Sequence, residues 1–211
     1  MSILVSSSYF PNLEYMALFL KGHALFIETA ENFQKQSLRS RCEILSANGK
    51  QSLSVPVKKE SGKKTAFHQV EIDYKGNWMK DHLGALNAAY ASSAFYFYYA
   101  DEIESILLSK PKTLLELNLN CLKFVLKQAQ IQVDYQVIQD FNFACADDFR
   151  AICNKKHKST LAFPSYPQVF AEKFPFVENL SSLDLLFNYG PSAFTYLEEL
   201  ANQIKLNSNE S

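Results

Sequence analysis

A short apolar run, Ile3-Leu-Val5, is followed by serines, Pro11 and a segment from Leu13 to Lys21 whose apolar residues fall at helical spacing; a second apolar run, Ala24-Leu-Phe-Ile-Glu28, comes next. Strand, helix, strand at this spacing leaves room for one crossover and little else. It predicts that the two strands lie parallel in one sheet. The chain is therefore expected to be α/β, with a mixed sheet.

The next strong signal is Asn48-Gly49, which separates an alternating run around Arg39, Arg41 and Cys42 from Ser52-Leu-Ser-Val-Pro-Val57. Asn-Gly between two such runs predicts an antiparallel hairpin over 38–57. A basic, flexible loop is expected at 58–66, and a third region of strand at Gln69-Val-Glu-Ile-Asp73. Helices are expected from Asn77 through Ala89, over Asp101–Leu108, over Pro111–Gln130 and over Ala146–Asn154, with a strand at Val133–Ile138 between the last two. Prolines punctuate 159–175 as a loop. Ser182 leads a short helix, Gly190-Pro191 breaks it, and a last helix follows from Ser192 to Ile204. Helices thus gather in the C-terminal two thirds of a single domain over 1–206, and residues 207–211 are expected to be a disordered tail.

Composition excludes several functions. Of 211 residues 47% are hydrophobic and 20% charged, enough for a sizeable core, and 21 basic against 22 acidic residues give a net charge of -1. Nucleic-acid binding draws on a basic excess that is absent here. The six glycines, at 22, 49, 62, 76, 84 and 190, are too scattered for a Rossmann or Walker phosphate loop. Cys42, Cys121, Cys145 and Cys153 lack zinc-ligand spacing, so no metal is expected, and no cofactor. The N-terminus has no charged region of the signal-peptide kind, which makes the cytoplasm the default. Leu83 to Ala100 carries no charge, but its tyrosines, Asn87 and two serines read as buried helix plus an aromatic segment, not as a membrane span.

Two groups of residues stand out as chemistry. Arg39 and Arg41, i and i+2 on an expected strand, would aim two guanidiniums at one phosphate or carboxylate, with Lys35 as a third cation; a solvated strand face is the equal alternative. Trp78 and His82, four apart, share a helical face that suits ring binding beside an acid–base imidazole, and a structural histidine is the plainer alternative. His23, His68 and His157 have nothing in their surroundings to recommend them. No GxSxG elbow is present, and the adjacent pairs Asp147-Asp148 and Glu198-Glu199 diverge on a helix. Asp184-Leu-Leu-Phe-Asn188 is expected to support the edge of the site, with Asn188 able to bond the carbonyls freed at the Gly190-Pro191 break or to reach the loop around Tyr9, and substrate contact by Asp184 or Asn188 is the alternative.

The order of Tyr9-Phe-Pro11 with Tyr15, Glu31-Asn-Phe-Gln-Lys-Gln36, Arg39-Ser-Arg41-Cys42, Val55-Pro-Val57, Trp78 with His82, Ala85-Leu86, Ala89-Tyr90 and Asp184–Asn188 with Gly190-Pro191 resembles the WbqC-like protein family. Ser7-Ser8-Tyr9 stands where many members read His-Gln-Pro, and Leu83 stands where they carry an aromatic. The resemblance implies a bacterial protein of surface-polysaccharide (O-antigen type) biosynthesis. The expected function is a transferase-like enzyme holding an anionic, nucleotide-linked or carboxylate-bearing small molecule, with a non-catalytic scaffold of the same pathway as the alternative. His82 is then the expected catalytic residue, and Tyr9, Tyr15, Lys35, Arg39, Arg41, Trp78 and Asn188 the expected substrate-binding set. No nucleic-acid partner and no membrane span are expected, and the oligomeric state is open.

Overall fold

The computed structural model describes residues 2–58 and 64–207. β1 (Ser2–Ser6), α1 (Leu13–Leu18) and β2 (Ala24–Glu28) form the expected crossover, and β1 pairs parallel with β2 from Ser2↔Ala24 to Ser6↔Glu28. Asn12 caps α1, its side-chain oxygen accepting from the Tyr15 N–H. β5 (Tyr135–Ile138) joins the outer side of β2, and β6 (Asp147–Asp148) joins the other side of β1, giving a wholly parallel sheet in the order β5-β2-β1-β6. Ile3, Val5, Leu25 and Ile27 are buried on one face of it and Leu4 on the other, as strands covered on both faces require.

The hairpin of β3 (Arg41–Ser46) and β4 (Gly49–Ser54) is antiparallel, as expected, and forms a sheet of its own. Its tip closes at Ser46↔Gly49, and Gly49 takes φ +95°, where a side chain would strain the backbone. α2 (Trp78–Tyr90), α3 (Tyr96–Leu108), α4 (Leu114–Gln128), α5 (Ser182–Tyr189) and α6 (Ala193–Gln203) make up the helical layer. One continuous buried cluster runs from Ile3 and Val5 through Leu86, Leu117 and Val125 to Phe187 and Leu200. The uncharged run from Leu83 to Ala100 is broken by the turn between α2 and α3, and among the described residues no helix is long and apolar enough to cross a membrane.

Three local expectations are corrected. Gln69–Asp73 is not a strand: a 3-10 turn over Phe67–Gln69 precedes isolated bridges from Ile72 to Val57 and from Glu71 to Thr113. Ala146–Asn154 is not a helix, because Asp147 and Asp148 pair with Ile3 and Leu4 at the open edge of β1, and Asp148 then accepts from the Arg150 N–H to start a 3-10 turn over Arg150–Cys153. α4 begins after Thr113, whose reciprocal capping with Glu116 outweighs Pro111 as a start signal. Most of the basic loop at 58–66 and of the tail at 207–211 lies outside the described residues.

Candidate functional site

Arg39 precedes β3 and does not share a strand face with Arg41, which corrects the paired-guanidinium expectation. Its side chain is 1% exposed and grips Glu31 through two bonds of 2.6 and 2.7 Å, with further bonds to Ser6 Oγ (2.8 Å) and Asn154 Oδ1 (3.1 Å). Every arm of the guanidinium is thereby used inside the protein. His82 is likewise buried: Tyr9 Oη lies 3.0 Å from its Nδ1, the Trp78 ring meets it edge-on at 5.1 Å, and burial lowers its pKa to about 4. Tyr15 is buried and donates to the Ser6 carbonyl at 2.8 Å, Lys35 is exposed, and half-buried Asn188 donates to the Asp184 carbonyl one turn back. Tyr9, Trp78 and His82 therefore come together, but inside the core. Of the expected catalytic and substrate-binding residues, Arg41 is the one that borders a cavity flanked by the hairpin and by the loops after β1 and β6.

That cavity, of about 420 Å³, sits where the fold favours a ligand. The chain leaves β1 toward β2 and β5 on one side, while β6 lies on the other, so the strand order diverges between β1 and β6. In open parallel sheets, ligands bind beyond the carboxyl ends of the strands at such a point. The loop after β1 supplies Phe10 and Asn12, and the chain after β6 supplies Ile152, Asn154, Lys155, His157 and Lys158. The hairpin adds Arg41, Glu43 and Lys50 as a third wall, and Glu178, Asn179 and Ser181 close the fourth.

The backbone around it is strained. Of five non-glycine residues at positive φ among the described residues, three line this cavity: Phe10 (+37°), Gln36 (+58°) and Asn179 (+52°). Such conformations cost roughly 1–3 kcal/mol each and concentrate where function holds them. The charge is also one-sided, with Arg41, Lys50, Lys155 and Lys158 against Glu43 and Glu178. Lys50 is paired with Glu43 at 2.9 Å, and Lys155 donates to Gln36 Oε1 at 2.9 Å. The Arg41 Nε is buried without a hydrogen-bond partner among the described residues, a group that gains 1.5–3 kcal/mol, on the order expected for a charged pair, by meeting an anion.

On the wall supplied by the chain after β6, His157 Nε2 lies 2.9 Å from Glu14 Oε2, and Asn179 Nδ2 donates to that oxygen at 3.3 Å. The Glu14 N–H in turn donates to Asn179 Oδ1 at 3.1 Å, so Asn179, in the segment before α5, holds both the backbone and the carboxylate of Glu14. Among the described residues no group of His, Cys, Asp and Glu is placed to hold a metal. The arrangement can hold a compact anion beside an imidazole backed by a carboxylate.

Residues 6–164 match the WbqC-like protein family. The chain belongs to that family. No curated protein and no solved structure matches it. The matched stretch of this WbqC-like chain contains α1, the hairpin and the loop after β6, hence Arg41, Lys155, His157 and Lys158, whereas Asn179 and Ser181 lie beyond its end. Sequence reasoning missed Glu14 and His157 because 143 positions separate them. The only trace of the pair is a lone acid, Glu14, in the first turn of an otherwise apolar helix.

Proposed function

We propose that this WbqC-like protein is a transferase-type enzyme of bacterial surface-polysaccharide biosynthesis that holds an anionic, nucleotide-linked substrate in the cavity between β1, β6 and the hairpin. The supporting observation is the unpartnered, buried Nε of Arg41 beside a cavity lined by four cations and two carboxylates. Diphosphate can be held by Arg and Lys side chains with no glycine loop. The polysaccharide context comes from the family resemblance.

A scaffold reading draws on Phe97 and Tyr98, which are 69% and 78% exposed at the start of α3 and could serve partner recognition. Thermal-shift measurements with nucleoside diphosphates, their sugar conjugates and acyl or aminoacyl donors separate the two. A ligand at a hundred times its Kd adds about 2.7 kcal/mol of stability, roughly 5–11 °C for a chain this size. Arg41→Gln should require about ten- to a hundredfold more ligand for the same shift. No shift with any of these compounds would leave the scaffold reading in possession of the site.

A further inference from the structure

The His157–Glu14 pair is built more firmly than a surface ion pair needs. The Glu14 side chain is 9% exposed and that of His157 25%. Glu14 is fixed by α1, by the His157 ring and by both polar ends of Asn179, a residue held at positive φ. His157 is fixed through its own N–H, which donates to the Asn154 carbonyl at 3.0 Å. A carboxylate only accepts, so the nitrogen facing it, Nε2, carries the ring proton. Nδ1 is then the basic nitrogen of a ring that lines the anion cavity.

The pair also stands on a partition. Glu14 borders a second cavity of about 410 Å³, and Ile152 lines both. The second cavity has a different lining, with Leu18, Phe149, Leu161 and Ile204 beside Thr160 and Lys205. Glu14 thus separates the second cavity from the imidazole, and the His157 ring opens on the first cavity alone.

We propose that His157 is the proton-transferring catalytic residue of this site, acting on a hydroxyl- or amine-bearing acceptor that enters the first cavity, and that Glu14 is its positioning residue. The inference rests on the reading of the first cavity as the site of a nucleotide-linked donor. As the acceptor oxygen or nitrogen bonds to the transferred carbon, its proton passes to Nδ1 of His157. The bond from that carbon to the donor's phosphate oxygen breaks, and its electron pair leaves on the phosphate, opposite Arg41 and Lys155. The imidazolium so formed faces the Glu14 carboxylate and later releases its proton to solvent.

The test is long-range proton–nitrogen NMR of the full chain labelled at its four histidines, with UDP as the probe and UDP affinity measured in parallel by calorimetry. His157→Gln identifies its signals by deleting them. The expected result is a single Nε2–H tautomer for His157, loss of that single tautomer in Glu14→Gln, and a change at Nδ1 on adding UDP, with UDP affinity within about threefold of wild type in Glu14→Gln. A mixed or Nδ1–H tautomer in the wild type, or a His157 signal indifferent to Glu14→Gln, would overturn the pair. So would UDP that binds by calorimetry and leaves His157 Nδ1 unchanged. Absence of UDP binding, with the tautomer behaving as expected, would remove UDP as the donor nucleotide and leave the orientation of His157 by Glu14 upheld.

Discussion

Arg39→Ala should be among the most damaging single substitutions in the chain. The guanidinium is 1% exposed and the Glu31 side chain 7%, so removing the arginine strands a buried carboxylate and also unmakes the bonds to Ser6 and Asn154. Breaking a buried pair from one side costs about 3–5 kcal/mol, a large part of a typical folding stability of roughly 5–15 kcal/mol. For a protein of this size that corresponds to a melting temperature lower by about 6–20 °C. Urea and thermal unfolding of Arg39→Ala, Glu31→Ala and the doubly apolar Arg39→Met/Glu31→Leu protein measure the effect. The double variant should recover most of the loss, because no charge is left unpaired in the interior. Melting of Arg39→Ala within a degree or two of wild type would refute this assignment and free Arg39 for ligand binding.

Three further substitutions probe the core and the backbone. His82 is held well below its ordinary value by burial, so the unfolded chain binds a proton that the folded one refuses; stability contributed by the neutral ring is complete above pH 6.5 and is lost as pH falls toward about 4, by roughly 3 kcal/mol. His82→Gln should flatten this acid limb in urea unfolding at stepped pH, and an unchanged slope would disprove the assignment. Gly190→Ala and Gly49→Ala share a backbone strain of about 1 kcal/mol, since both glycines sit at positive φ. A Cβ on Gly190 would come within 2.6 Å of the Phe95 ring while one on Gly49 stays 3.9 Å from Phe174, so denaturant midpoints should show Gly190→Ala worse by a further 1–3 kcal/mol, roughly the cost of overpacking. Equal midpoints would contradict the contact.

The parts of the fold visible in the sequence are those specified locally. The period of Ile3–Val5, Leu13–Leu20 and Ala24–Glu28 encodes the parallel pair without help from the rest of the chain, and Asn48-Gly49 encodes the hairpin. β6 was not legible, because Asp147 and Asp148 have no strand propensity and are strand only by virtue of the unfilled edge of β1. Arg39 was misplaced for a related reason: its partner Glu31 lies in a loop, and nothing in the sequence distinguishes a buried pair from a solvated one. The site was legible only at Arg41. Its other members arrive from the loop after β6 and from the segment before α5, and they converge through the strand order, which no local pattern carries.

The most direct test of the central claim is a crystal structure of the protein with UDP bound. The account predicts diphosphate density against Arg41 Nε and Lys155, in the cavity beyond the ends of β1 and β6, with the His157 ring facing the ligand and Glu14 behind it. Density elsewhere, for example in the smaller crevice bordered by Arg39, Phe141 and Arg150, or a bound ligand that leaves Arg41 without a partner, would contradict it.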